Sequence, residues 1–120
     1  GYLLNPMLVE GQVHGGVVQG LGQAMMEHVV YDDNGQLLTA SFMDYGMPRA
    51  ADVPMFDFNS VVVPSTANPI GMKGCGEAGT IGSMAAVSNA VMDALASQGV
   101  TRADMPFTPQ RVWSMLQNAG

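Results

Sequence analysis

Gly71-Met72-Lys73-Gly74-Cys75-Gly76-Glu77-Ala78-Gly79-Thr80 puts four glycines into nine positions and one carboxylate among them. A backbone so bare of side chains admits close approach by another group. Directly after it, Ile81, Met84, Ala85, Ser88, Met92 and Leu95 recur at helical spacing, and Val87, Ala90, Val91 and Ala94 trace a second face. Small or apolar residues nearly all round predict a buried helix from about Ile81 to Ser97, with Gly99 as its stop. The rest of the chain reads as scaffold for this loop and helix.

Upstream, Asn5-Pro6 is a helix start, Asn as cap and Pro in the first helical position. Val9, Val13, Val17, Leu21 and Met25 supply an apolar face over about Met7 to Glu27. The same segment holds Gly11, Gly15, Gly16, Gly20 and Gly22, which together cost an isolated helix about 4–5 kcal/mol. Tertiary packing must supply the difference. The pairs Gly11/Gly15 and Gly16/Gly20 suit either close packing of a second helix or a flat ligand. Gln12, Gly16, Gln19 and Gln23 share one face, which suits an amide-rich heterocycle.

Val29-Val30-Tyr31 and Gln36-Leu37-Leu38-Thr39 flank Asp32-Asp33-Asn34-Gly35, a hairpin signal, with Ser41 to Tyr45 continuing the second strand. Gly46 to Pro54 reads as an irregular loop and Phe56 to Val63 as a strand. Thr108-Pro109 caps a short final helix carrying Val112, Trp113 and Leu116. Helix, hairpin, strand, helix, helix is an α+β order.

Only 12% of the 120 residues are charged, against about 25% in ordinary domains. Mean hydropathy is +0.17, and eleven methionines add adaptable apolar volume. So few charges cannot cover the surface of a domain this small. The chain is therefore expected to be a single fragment, residues 1–120, of a larger domain. Its exposed apolar surface would then dock the remaining protein or self-associate. A net charge of −6 with four scattered basic residues excludes a nucleic-acid partner. No apolar run reaches membrane-spanning length. The single cysteine gives no disulfide, and the opening Gly1-Tyr2-Leu3-Leu4-Asn5-Pro6 has no leader features, so a cytoplasmic location is expected.

Gly74-Cys75-Gly76-Glu77-Ala78-Gly79 spells G-x-G-x-x-G, but the strand before it and the acid about 20 positions after it are missing. Lys73 precedes Gly rather than Ser or Thr, which removes a phosphate-binding P-loop as well. Glu77 reads either as a capping or solvated glutamate or as a general base held in a partly buried site. Cys75 fits a small packed residue better than a reactive thiol, since no histidine is near in sequence. His14 and His28 have no metal-ligand spacing.

Several motifs agree in order and spacing. Gly11-Gln12-Val13-His14-Gly15-Gly16-Val17-Val18-Gln19-Gly20-Leu21-Gly22-Gln23-Ala24 and the Gly71–Thr80 loop are two of them. Ser41-Phe42-Met43-Asp44-Tyr45, Pro48-Arg49-Ala50, Ala86 to Leu95 and Thr108 to Trp113 fit the same pattern. Together they resemble the C-terminal part of the molybdopterin-binding large subunit of the xanthine dehydrogenase, aldehyde oxidase and aerobic carbon monoxide dehydrogenase family. The resemblance implies that Glu77 is the catalytic base beside molybdenum. It also implies that Gln19 contacts the pterin and that Gly74, Cys75 and Gly76 line the cofactor. No side chain would ligate the metal, because the pterin does. Water-derived hydroxylation of an aldehyde, purine or heterocycle, or oxidation of carbon monoxide, is the implied activity. The cofactor would be molybdopterin, as such or as its cytosine dinucleotide. Iron–sulfur clusters and FAD would reside in partner domains or subunits. The alternative is a non-catalytic packing module when the chain stands alone.

Overall fold

The computed structural model describes residues 1–119. It contains three α-helices: α1 (Pro6–Met25), α2 (Ala78–Ala96) and α3 (Pro109–Asn118). A 3-10 turn, Ala50–Asp52, interrupts the long stretch between α1 and α2.

The helices start where local chemistry dictates. Asn5 Oδ1 accepts from the Leu8 N–H at 3.1 Å with Pro6 at the first position. Thr108 Oγ1 accepts from the Arg111 N–H at 3.4 Å ahead of Pro109. α2 begins at Ala78, three residues before the apolar pattern. Gly79 lies against α1, and that contact draws the glycine-rich end into the helix. At its other end Gly99 takes φ +87° as the stop residue.

The α+β expectation is corrected. The turn at Asp32–Gly35 does form: Gly35 adopts φ +79°, and Asp32 Oδ1 accepts from the Asn34 and Gln36 N–H groups. Pairing beyond it is confined to one antiparallel bridge between Tyr31 and Leu37. Ser41 to Tyr45 is a turn and not a strand, since the Asp44 and Tyr45 N–H groups both donate to Ser41 O and Ser41 Oγ donates to Asp44 Oδ2. Phe56 to Val63 has no strand partner among the described residues. The β-rich composition is present, but a ladder needs a neighbour that these residues do not provide.

α1 and α2 are the packed pair of the structure. Gly16 faces Gly79 and Thr80, and Gly20 faces Ser83 and Met84, so the helices run past one another in the same direction. Beyond the crossing, the Phe107 N–H donates to Ala24 O at 2.7 Å, and Phe107, Ala24, Leu95 and Val100 form a small core. The expected burial of α2 is corrected too: only Gly79, Ser83 and Leu95 are buried along it, and Ile81 is 68% exposed.

The radius of gyration is 18.2 Å, against about 13.6 Å for a compact chain of this length. The accessible surface of 8608 Å² exceeds by about 2,400 Å² what a folded monomer of this mass exposes. The molecule is two crossed helices with long attached segments, not a closed globule. Among the described residues no helix is long and apolar enough to cross a membrane.

Candidate active site

The Gly71–Thr80 loop is fastened at both ends and free between them. At its entry, Asn68 grips Met72 twice: Oδ1 accepts from the Met72 N–H and Nδ2 donates to the Met72 carbonyl, both at 3.0 Å. Gly71 is buried at φ +69°, a conformation that disfavours any side chain. Its carbonyl accepts from the N–H groups of Tyr2 and Ser65, both at 3.1 Å. A β-carbon there would also meet the Tyr2 ring at 2.9 Å.

At its exit, Gly79 lies on the α1 backbone. A β-carbon on Gly79 would collide with Val13 O and stand 2.9 Å from Val17 N. Between these anchors, a β-carbon on Gly74 or Gly76 would meet nothing within 4 Å. Cys75 is half-buried and unpaired. Its carbonyl accepts from the Ala78 N–H at 3.2 Å, which turns the chain into α2.

Glu77 is the residue immediately before α2. Its backbone carbonyl accepts from the Ile81 N–H, but its side chain makes no capping bond. It is exposed, not buried as one reading of the sequence required. Short side chains such as Asp or Ser reach back to cap a helix, whereas this glutamate makes no such bond. The capping reading is therefore removed, while the exposure agrees with the solvated one. Among the described residues Glu77 has no ion-pair partner, and Lys73 is likewise exposed and unpaired.

Gln19 is exposed on α1, between the contact residues Gly16 and Gly20. In the register set by those contacts it stands level with Ser83, whereas Glu77 stands level with the turn around Val13. The two are thus offset by about 8 Å along the helix direction. The two glycine pairs of α1 separate here: Gly16 and Gly20 are filled by α2, while Gly11 and Gly15 meet nothing within 4 Å.

His14 packs its ring edge-on to Phe56, centroids 5.7 Å apart, and lies 3.8 Å from Glu10 Oε1, too far for a hydrogen bond. Its Nε2 is shielded from solvent. A cavity of about 350 Å³ beside it is lined by His14, Val18, Arg49, Val53 and Phe56. Another of about 470 Å³ is lined by Phe42, Tyr45, Arg49 and Asp52. Neither includes Glu77 or Gln19, so concavity alone does not single out the loop. In the latter, partial burial first, then the nearby Glu27 charge, holds the Tyr45 hydroxyl above the usual phenol range.

The anchoring roles of Asn68 and Tyr2 were not singled out from the sequence. Asn-Pro followed two residues later by Gly was their signal, a turn-forming cluster just ahead of the loop.

No three or more His, Cys, Asp or Glu among the described residues are grouped to hold a metal. The chemistry on offer is one free carboxylate, a side-chain-free backbone and an exposed carboxamide.

Residues 1–54 match the model of a molybdopterin cofactor-binding domain. Over 117 residues, 98% of this chain, it is 43% identical to the carbon monoxide dehydrogenase large chain of Hydrogenophaga pseudoflava. Over 112 residues, 93% of the chain, it is 45% identical to the nicotine 6-hydroxylase large subunit of Paenarthrobacter nicotinovorans. Its structure superposes over its whole length on quinoline 2-oxidoreductase from Pseudomonas putida 86, with a TM-score of 0.94 and 44% identity. The chain spans about 15% of the length of these proteins: 15%, 14% and 15% respectively.

Proposed function

The chain belongs to the molybdopterin-binding large-subunit family of the xanthine dehydrogenase, aldehyde oxidase and aerobic carbon monoxide dehydrogenase enzymes, and we propose that it supplies such a subunit with its catalytic base, Glu77. Gln19 and the backbone of Gly74, Cys75 and Gly76 would hold the cofactor. The observation that supports this is the loop itself, anchored at Gly71 and Gly79 with Gly74, Gly76 and Glu77 open between. A β-carbon at either open glycine would occupy that space, and Glu77 has no competing structural task.

When bound, the cofactor supplies the two-electron redox chemistry that no protein side chain provides. The chain's own part is proton transfer and positioning. The Glu77 carboxylate takes up, on Oε1 or Oε2, the proton lost by the attacking water-derived hydroxyl. Fixed ends on the loop set where that residue stands, and no hydrogen bond of its own competes for the carboxylate. The Gln19 carboxamide, offering both donor and acceptor, fits the alternating amide edge of a pterin. Iron–sulfur and FAD centres in partner domains or subunits would receive the electrons.

Substrate choice is assigned elsewhere in the subunit. Proteins named for carbon monoxide, nicotine and quinoline are each 43–45% identical to this segment, so the segment holds what their reactions share. A small-molecule substrate, of the aldehyde, purine, heterocycle or carbon monoxide classes, is the proposed reactant. Taken alone, residues 1–120 form a packing module: the excess of about 2,400 Å² of surface favours a role inside a larger fold.

Glu77→Gln in the complete enzyme tests the assignment, because it keeps size and polarity while removing the base. Turnover is expected to fall by about 10²–10⁴-fold with molybdenum content unchanged. Near-normal turnover would overturn it.

A further inference from the structure

The segment from Val53 to Pro64 carries the structure's largest unanswered demand for hydrogen bonds. None of its backbone N–H or C=O groups is bonded to another described residue, and no helix or turn interrupts Pro54 to Ser65. Val53 has β dihedrals, φ −131° and ψ 146°. Exposure then alternates, with Phe56 and Phe58 half-buried between exposed Met55, Asp57 and Asn59, the period of an extended chain. Phe56 is pinned to α1 through His14. Further on, Val61 is 91% exposed and Val63 57%, residue types that favour a pleated sheet. Pro54 and Pro64 bracket the run, in positions where a missing N–H does least damage to a ladder.

We infer that Phe56 to Val63 is a strand whose sheet is completed by an extended segment of the same large subunit lying outside these 120 residues. The inference rests on the proposed place of the chain within such a subunit. Two observations favour that occupant. The chain keeps one shape, at a TM-score of 0.94, within a protein of which it covers 15%, so far more chain is available there to pair with it. An unpaired apolar strand is also a template for aggregation unless it is covered. Sheet pairing meets the backbone demand, which a helix laid on the segment would not do.

Hydrogen exchange on the complete subunit, resolved to Phe56–Val63, tests this. Amides in this segment are expected to exchange on the order of 100-fold more slowly than an unpaired chain, at every subunit concentration. Exchange at the unpaired rate would overturn the inference. Protection that appears only as concentration rises would overturn it too, because a second copy would then be the occupant. The measurement requires neither cofactor nor turnover. A strand that is protected while Glu77→Gln stays active would refute the base and leave the pairing standing, and the converse result would do the opposite.

Discussion

Gly16 and Gly79 meet backbone to backbone: a β-carbon on Gly16 would stand 3.1 Å from Gly79 Cα, and one on Gly79 would stand 3.1 Å from Gly16 C. This contact ties the loop exit to the middle of α1 and so sets where Glu77 begins its reach. Gly79→Ala is expected to weaken the crossing by about 1–3 kcal/mol, since the colliding Val13 carbonyl is backbone and cannot swing aside. Gly11→Ala, where nothing lies within 4 Å, is expected to stabilise α1 by up to about 1 kcal/mol. Hydrogen-exchange opening energies of α1 amides in the complete subunit measure both. Equal effects would show that the crossing is looser than this contact implies.

The sequence distinguishes poorly between those two glycines. Gly11/Gly15 and Gly16/Gly20 have the same spacing, yet only the second pair is covered, because the residues that decide it, Gly79 and Ser83, lie over sixty positions away. Helix starts at Asn5 and Thr108 were legible because a cap is settled within three residues. The turn at Gly35 was legible for the same reason. Strands were overstated because composition marks a segment as able to pair and says nothing of whether a partner is present. Glu77 was legible as a lone carboxylate, but its exposure depends on what surrounds it.

Gly74→Val and Gly76→Val probe the open part of the loop. Each adds bulk where the chain has none, so the α1–α2 opening energy is expected to stay constant while molybdenum per subunit falls several-fold. Metal analysis of the purified enzyme measures the loss. Full occupancy in both variants would remove these positions from the cofactor wall.

Asn5→Ala leaves the Leu8 N–H without its partner at the start of α1. A loss of about 1 kcal/mol in the opening energy of the first α1 turn is expected. Thr108→Ala is expected to cost α3 less, because its bond is longer, 3.4 Å against 3.1 Å. Site-resolved exchange at the two helix starts measures the difference, and the reverse order would refute the ranking.

Tyr45 is held above its ordinary value of 10.0 by partial burial and then by Glu27. The neutral phenol is therefore the form favoured by the fold. Its contribution is present below the unfolded value and is lost as pH rises through the folded one. Glu27→Gln removes the repelling charge, so the Tyr45 titration is expected to move down towards the ordinary value. Nuclear magnetic resonance titration of the Tyr45 ring reads this shift, and an unmoved titration would show that burial alone sets it.

Asn68 is the most economical handle on the loop, because one side chain satisfies both backbone groups of Met72. Asn68→Asp keeps the acceptor for the Met72 N–H but sets a carboxylate oxygen against the Met72 carbonyl. Asn68→Ala removes both bonds and leaves Gly71 held by Tyr2 and Ser65. Since each hydrogen bond is worth about 0.5–1.5 kcal/mol, the alanine variant loosens the entry to the loop without unfolding it. If the anchor serves to aim Glu77, turnover is expected to fall about tenfold in both variants, with molybdenum content intact and faster exchange confined to residues 72–77. Asn68→Asp is expected to be the worse of the two, because repulsion replaces a bond instead of merely deleting it. A fall in turnover accompanied by lost metal would instead assign Asn68 to building the cofactor wall, and unchanged turnover would show that the exit anchor at Gly79 holds the loop by itself.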